Sequence, residues 1–132
     1  MPPTKIVLAE DDADDREIFF DSLKNRSDIS LLSVVENGEE VLELLSGINK
    51  AGDLPDLILL DQNMPKKNGI QTLEELKRTR VYEDIPVFIY STYADEALHE
   101  KSTNAGAALV FSKPYTREGY HKMIDAMLHL LG

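Results

Sequence analysis

Leu57-Ile58-Leu59-Leu60-Asp61-Gln62-Asn63-Met64-Pro65 is the stretch on which the fold turns. Its first four residues are apolar without interruption, too few for a helix, and they give way at once to an acid and a turn containing proline. A strand with one wet face alternates, whereas an unbroken apolar run belongs to a strand covered on both faces, as in a parallel sheet between two helical layers. Working outward from 57–60, residues 5–9, 31–35, 87–90 and 109–111 form similar short apolar runs, which predicts five strands. Between the strands, apolar residues fall at helical spacing: Val41, Leu44, Leu45 and Ile48, then Ile70, Leu73 and Leu76. The clearest stripe is the last, with Tyr120, Met123, Ile124, Met127, Leu128 and Leu131 on one face of a terminal helix. Residues 95–104 offer little beyond Ala97 and Leu98, which predicts a lightly packed helix with most of its surface in solvent. Strict alternation of strand and helix predicts an open, doubly wound α/β sheet whose right-handed crossovers place helices on both faces.

Composition narrows the function classes. A chain of 132 residues fits one domain, so residues 1–132 are expected to form a single unit with no separate effector domain. The 24 acids against 14 lysines and arginines give a formal charge of -10, which repels nucleic-acid backbones and anionic lipid headgroups. No direct nucleic-acid binding is expected. There is no cysteine, which excludes disulfides, thiolate metal sites and a cysteine nucleophile and favours a cytoplasmic setting. The start Met1-Pro2-Pro3-Thr4-Lys5 lacks the layout of a signal peptide, and no apolar run approaches the length needed for membrane insertion.

In open α/β sheets, ligands bind beyond the carboxyl ends of the strands. Those ends carry Glu10-Asp11-Asp12, Asp61, Ser91-Thr92 and Lys113-Pro114. Carboxylates gathered there repel one another unless a cation or a proton holds them, and oxygen ligands of this kind suit Mg²⁺, which is commonly shared between one or two carboxylates and a phosphate. An EF-hand is excluded because Asp11-Asp12-Ala13-Asp14-Asp15-Arg16 lacks the glycine required at the sixth loop position. Asp14, Asp15 and Glu17 are read as charging the first turns of the following helix, where its dipole favours acids. His99, His121 and His129 have no tight metal spacing and are read as surface residues, and Lys66-Lys67 as a solvated loop or a kinase contact.

Taken together, these motifs resemble the receiver domains of two-component response regulators, particularly the free-standing chemotaxis type, over essentially the whole chain. The most specific stretch is Leu60-Asp61-Gln62-Asn63-Met64-Pro65 with Gly69 beyond it, which looks like the family's phosphoacceptor loop. Ser91 stands at the position of the family's switch hydroxyl, and Ala105-Gly106-Ala107 leads into Lys113-Pro114. The resemblance implies a flavodoxin-like three-layer sandwich with strand order 2-1-3-4-5. It also implies that Asp61 accepts a phosphoryl group from a histidine kinase or phosphotransfer protein. Asp11 and Glu10 would hold Mg²⁺ with Asp61 and the backbone carbonyl of Asn63, while Asp12 occupies the adjacent variable position. Ser91, with Thr92 beside it, and Lys113 would bind the phosphoryl oxygens. Met64, Pro65, Gly69 and Pro114 would set loop geometry, and Asn63 and Tyr93 would tune dephosphorylation. Output would pass through a phosphorylation-dependent surface near residues 95–104 to a downstream protein target. Where the family carries an aromatic switch residue on the last strand, this chain has Val110, with Phe111 and Tyr90 as neighbouring aromatics. The acid-rich start and the Ser-Thr pair also resemble single-domain receivers that partner phytochrome-like kinases.

Three competitors are weaker. A haloacid-dehalogenase-type phosphatase wants a second Asp two residues after the nucleophile, where Asn63 stands. A pseudo-receiver would have lost an acid, the acceptor or the lysine, and a dinucleotide-binding flavodoxin relative would carry a glycine-rich loop after the first strand.

Overall fold

One sheet of five parallel strands organises the computed structural model, which describes residues 2–132. The strands are β1 (Thr4–Ala9), β2 (Ile29–Val35), β3 (Leu57–Asp61), β4 (Val87–Ser91) and β5 (Leu109–Ser112), in the order β2-β1-β3-β4-β5. The helices are α1 (Ala13–Leu23), α2 (Gly38–Ser46), α3 (Gly69–Arg78), α4 (Glu96–Ala105) and α5 (Arg117–Leu131). This is the open, doubly wound sheet that the alternating sequence pattern predicts, in the flavodoxin-like strand order that the receiver resemblance implies. The first crossover carries the chain from β1 to β2, and the next returns it past β1 to β3. The order therefore reverses between β1 and β3, and a crevice opens beyond their carboxyl ends.

Both faces of the sheet are covered. On one face Val7, Ala9, Ile58, Leu60, Val87 and Ile89 pack with Val41 and Leu45 of α2 and Leu73 and Leu76 of α3. On the other, Ile6, Leu8, Leu57, Leu59, Phe88 and Tyr90 pack with Phe19 of α1 and Tyr120, Met123, Ile124 and Met127 of α5. Each of the larger of these side chains contributes about 1.5–3 kcal/mol on burial, which outweighs the small differences in helix propensity. Chain entry into each of the five α-helices follows one rule. Asp12, Asn37, Asn68, Asp95 and Thr116 each accept, through the side chain, a backbone N–H three residues on.

The edge strands are less covered than their apolar runs suggest: Leu32 of β2 and Leu109 of β5 are exposed. Helix α4 is the lightly packed element expected, but the residues it buries are Leu98 and Ser102, while Ala97 faces solvent. Val110 and Phe111 point to opposite faces of the sheet, and Phe111 stacks on Phe88 with 6.2 Å between ring centroids. The terminal stripe frays at its end, where Leu131 is exposed.

Candidate functional site

Strand register sets the site. Asp61 ends β3 beside Tyr90 of β4, and Ser91 lies beside Ser112 of β5, one residue before Lys113. The hydrogen bonds continue past the strands: Gln62 N–H donates to Tyr90 O at 3.0 Å and Lys113 N–H to Ser91 O at 2.8 Å. Four strand ends therefore deliver their polar residues into one crevice. Oxygen atoms of Glu10, Asp11 and Asp61 lie within 4.8 Å of one another, an all-oxygen donor set suited to a hard divalent cation. Glu10 and Asp61 are buried, and Asp11 is open to solvent.

Lys113 neutralises this cluster from the side. Its ammonium lies 2.9 Å from Glu10 Oε1, 2.9 Å from Asp15 Oδ2 and 3.4 Å from Asp61 Oδ2, with its side chain only 7% exposed. Burial by itself would lower its pKa, but the hydrogen bonds to Glu10 and Asp15 and the charges of Asp61 and Glu10 outweigh it and hold the group above its usual range. Asp61 is pushed up to about 7, first by burial and then by Glu10, against the opposing pull of Lys113 and the Asn63 N–H. Tyr90 completes the arrangement, donating its buried hydroxyl to Glu10 Oε1 at 2.5 Å while the Lys113 ammonium lies 4.9 Å from its ring centroid. Arg16 reaches back to the Glu10 carbonyl at 2.9 Å.

The Asp61 loop closes on itself. Gly69 N–H donates to Gln62 O at 3.2 Å, and Ile70 N–H donates to Gln62 Oε1 at 2.9 Å. A Cβ on Gly69 would fall 2.8 Å from Asp61 O, so only glycine allows the helix to start this close to the strand end. Met64 is buried beneath the loop and Pro65 is exposed.

Several expectations need correction. Asp15 does more than charge the start of α1, because its carboxylate holds Lys113. Thr92 is exposed where Ser91 is buried, so the two hydroxyls do not share one environment. His121 is half-buried and its Nδ1 lies 3.5 Å from Arg26 Nη1, rather than standing free on the surface. Lys67 is half-buried and paired with Glu75, which leaves Lys66 as the solvated member of that pair. Tyr90, Arg16 and Asp15 are the polar neighbours of the acids that the sequence did not mark. Tyr90 sits inside an apolar run and reads as core, while Asp15 is one acid among several.

The titration of Asp61 has a measurable consequence. A carboxyl raised from about 4 to about 7 favours the metal-free fold fully at low pH, and that contribution is lost as pH rises through 7. An Asp61→Asn variant lacks this titration. Its metal-free melting temperature is expected to exceed that of the parent by several degrees at pH 8, with the gap closing towards pH 4. A gap independent of pH in thermal melts would refute the assignment.

Comparison with known proteins gives one consistent answer. Residues 6–125 match the family model described as response regulator receiver domain. The chain is 35% identical over 130 residues to the transcriptional regulatory protein CiaR of Streptococcus pneumoniae, covering 97% of this chain and 53% of that protein. It spans about half the length, or less, of the curated relatives it matches. Among solved structures, the phosphorylated cyanobacterial phytochrome response regulator RcpA superposes with a TM-score of 0.82 at 26% identity, covering 98% of this chain and 94% of that one. The Mn²⁺-bound form of response regulator Rcp1 gives 0.79 at 27% identity, with 95% and 91% covered.

Proposed function

The chain belongs to the response regulator receiver domain family, whose members are phosphoacceptors of two-component signalling, and from that premise we propose that Asp61 is its acceptor. The observation that carries this reading is the meeting of Asp61 with Glu10 and Asp11 within 4.8 Å, with Lys113 3.4 Å from the Asp61 carboxylate. An Asp61 oxygen attacks the phosphorus of a phosphohistidine on a histidine kinase or phosphotransfer protein. The O–P bond forms as the P–N bond breaks, and the imidazole leaves with the electron pair and takes a proton from solvent. Most catalysis of such a transfer is positioning and neutralisation of charge. Bound Mg²⁺, the divalent ion this donor set favours, supplies positive charge to the transferring oxygens.

This chain's own groups do the rest. Glu10, Asp11, Asp61 and the Asn63 carbonyl would hold the ion. Lys113 pairs with one phosphoryl oxygen and Ser91 hydrogen-bonds another, with Thr92 at the rim. Gly69, Met64, Pro65 and Pro114 keep the flanking loops in place, and the exposed side chains of Asn63 and Tyr93 adjust access of water to the acyl phosphate. The domain acts in the cytoplasm, and α4 with β5 and α5 presents the altered surface to a protein target. Likeness to RcpA makes phytochrome-linked histidine kinases the first class to screen.

Intact mass after incubation with acetyl phosphate tests the assignment. The parent is expected to gain one phosphoryl adduct that depends on Mg²⁺, and Asp61→Asn to gain none. An equal adduct on the variant would remove Asp61 from the role.

A further inference from the structure

We propose that Asp15 competes with the phosphoryl group for Lys113, and that the hydroxyl of Tyr120 takes the place of Lys113 at Asp15 when the lysine moves to the acceptor. The proposal rests on Asp61 being that acceptor.

In the resting arrangement Lys113 leans away from Asp61. Its ammonium has three protons to donate, and Asp15 Oδ2 and Glu10 Oε1 both lie at 2.9 Å, whereas Asp61 Oδ2 is at 3.4 Å. A phosphoryl group on Asp61 adds about -1.5 to -2 of charge and three strong acceptor oxygens, and so draws the lysine inward. Asp15 then loses the one side-chain cation it has among the described residues. With its side chain 24% exposed, it regains only part of the hydration that an open carboxylate has.

A replacement donor lies on the neighbouring helix α5. Tyr120 of α5 is fully buried, and among the described residues its hydroxyl has no hydrogen-bond partner. Native interiors rarely tolerate such a group, because an unmade buried hydrogen bond costs as much as desolvating the hydroxyl. The ring packs edge-on against Phe19 and against Tyr90, at 6.2 and 6.5 Å between centroids. Phe19 follows Asp15 by four residues on α1, so Asp15 lies one turn before the residue that Tyr120 packs against, on the same helix face. Burial first, and then the charge of Asp15, push the Tyr120 phenol upward, so it keeps its proton and remains a donor. The other charges acting on it are Lys113, Glu10 and Asp61. The Lys113–Asp15 pair and a Tyr120–Asp15 hydrogen bond are thus alternatives, and exchange between them couples the acceptor pocket to the seam between α1 and α5.

The test measures affinity of the full chain for beryllium fluoride with Mg²⁺, a stable stand-in for the phosphoryl group, alongside resting-state melts. The proteins are the parent, Asp15→Asn, Tyr120→Phe and the double variant. Freed from its competitor, Lys113 in Asp15→Asn is expected to bind the mimic roughly three- to tenfold tighter, in the range of couplings between contacting groups. Tyr120→Phe is expected to weaken mimic binding roughly threefold when Asp15 is present and to change nothing in the Asp15→Asn background. It is also expected to raise the resting melting temperature, since the unpaired hydroxyl is gone. Weaker or unchanged binding by a folded Asp15→Asn overturns the competition. Equal effects of Tyr120→Phe in both backgrounds overturn the exchange. A parent that neither binds the mimic nor takes phosphoryl from acetyl phosphate overturns the acceptor reading itself, and this proposal with it.

Discussion

Lys113→Met is expected to slow phosphoryl uptake from acetyl phosphate by at least about a hundredfold and to destabilise the metal-free protein by about 3–5 kcal/mol near pH 8. The two losses have one cause. Glu10, Asp15 and Asp61 surround a single buried ammonium, and methionine fills its volume without its charge. Removing one partner of a buried pair leaves an uncompensated charge, which is far costlier than the net worth of the pair. The stability deficit is therefore expected to shrink as pH falls and the carboxyls take up protons. Added Mg²⁺ is expected to stabilise the variant more than the parent, because the ion then supplies the missing positive charge. Denaturant melts at pH 5 and 8, with and without Mg²⁺, together with mass spectrometry of the adduct, check all of this. An uptake rate equal to the parent's would exclude Lys113 from the transfer.

The second large effect is a matter of space. Gly38 begins α2, and a Cβ there would fall 1.8 Å from Thr72 Oγ1, 2.8 Å from Lys67 O and 3.0 Å from Lys67 Cβ. Gly38 N–H also donates to that carbonyl at 3.0 Å, and Thr72 Oγ1 donates to Asn68 O at 2.7 Å. In an open helix, alanine would gain about 1 kcal/mol over glycine. Here the added methyl meets a carbonyl and a buried hydroxyl that is already bonded, so overpacking wins. Gly38→Ala is expected to cost about 2 kcal/mol net and to lower the melting temperature by roughly 8 °C. Gly52→Ala, where nothing lies within 4 Å, serves as the control and is expected to be neutral or slightly stabilising. Equal melting temperatures for the two variants would refute the packing argument. Lys67 lies in the loop that begins after Asp61, so the same close approach braces the acceptor loop from outside.

The central strands and the acidic crevice were legible in the chain because both depend on short-range pattern. A strand buried on two faces must be apolar throughout, and residues 57–60 and 87–90 are. Strand ends carry the ligand groups in such sheets, so Glu10, Asp11, Asp61, Ser91 and Lys113 stand out in the chain itself. What escaped depends on contacts between distant segments. Asp15 meets Lys113 across 98 positions and Tyr90 meets Glu10 across 80. An acid in the first turn of a helix already has a sufficient local reason to be there, and a tyrosine in an apolar run already has one in packing. Adjacency in the chain also hides a difference in setting, since the strand ends at Ser91 and leaves Thr92 in solvent. The exposure of β2 and β5 follows from their places at the two sheet edges, which the strand runs alone do not specify.

The Tyr90 hydroxyl on Glu10, beneath the Lys113 ammonium, also makes the pocket optically addressable. The protein has no tryptophan and five tyrosines, so its near-ultraviolet absorption is chiefly tyrosine absorption. Of these, Tyr90 is buried against the acid cluster and Tyr120 against Tyr90, while Tyr93 and Tyr115 stand in solvent. Any event that moves Glu10 or Lys113 changes the charge beside a buried phenol, and the chain carries its own unlabelled chromophore for following the chemistry of Asp61 in real time.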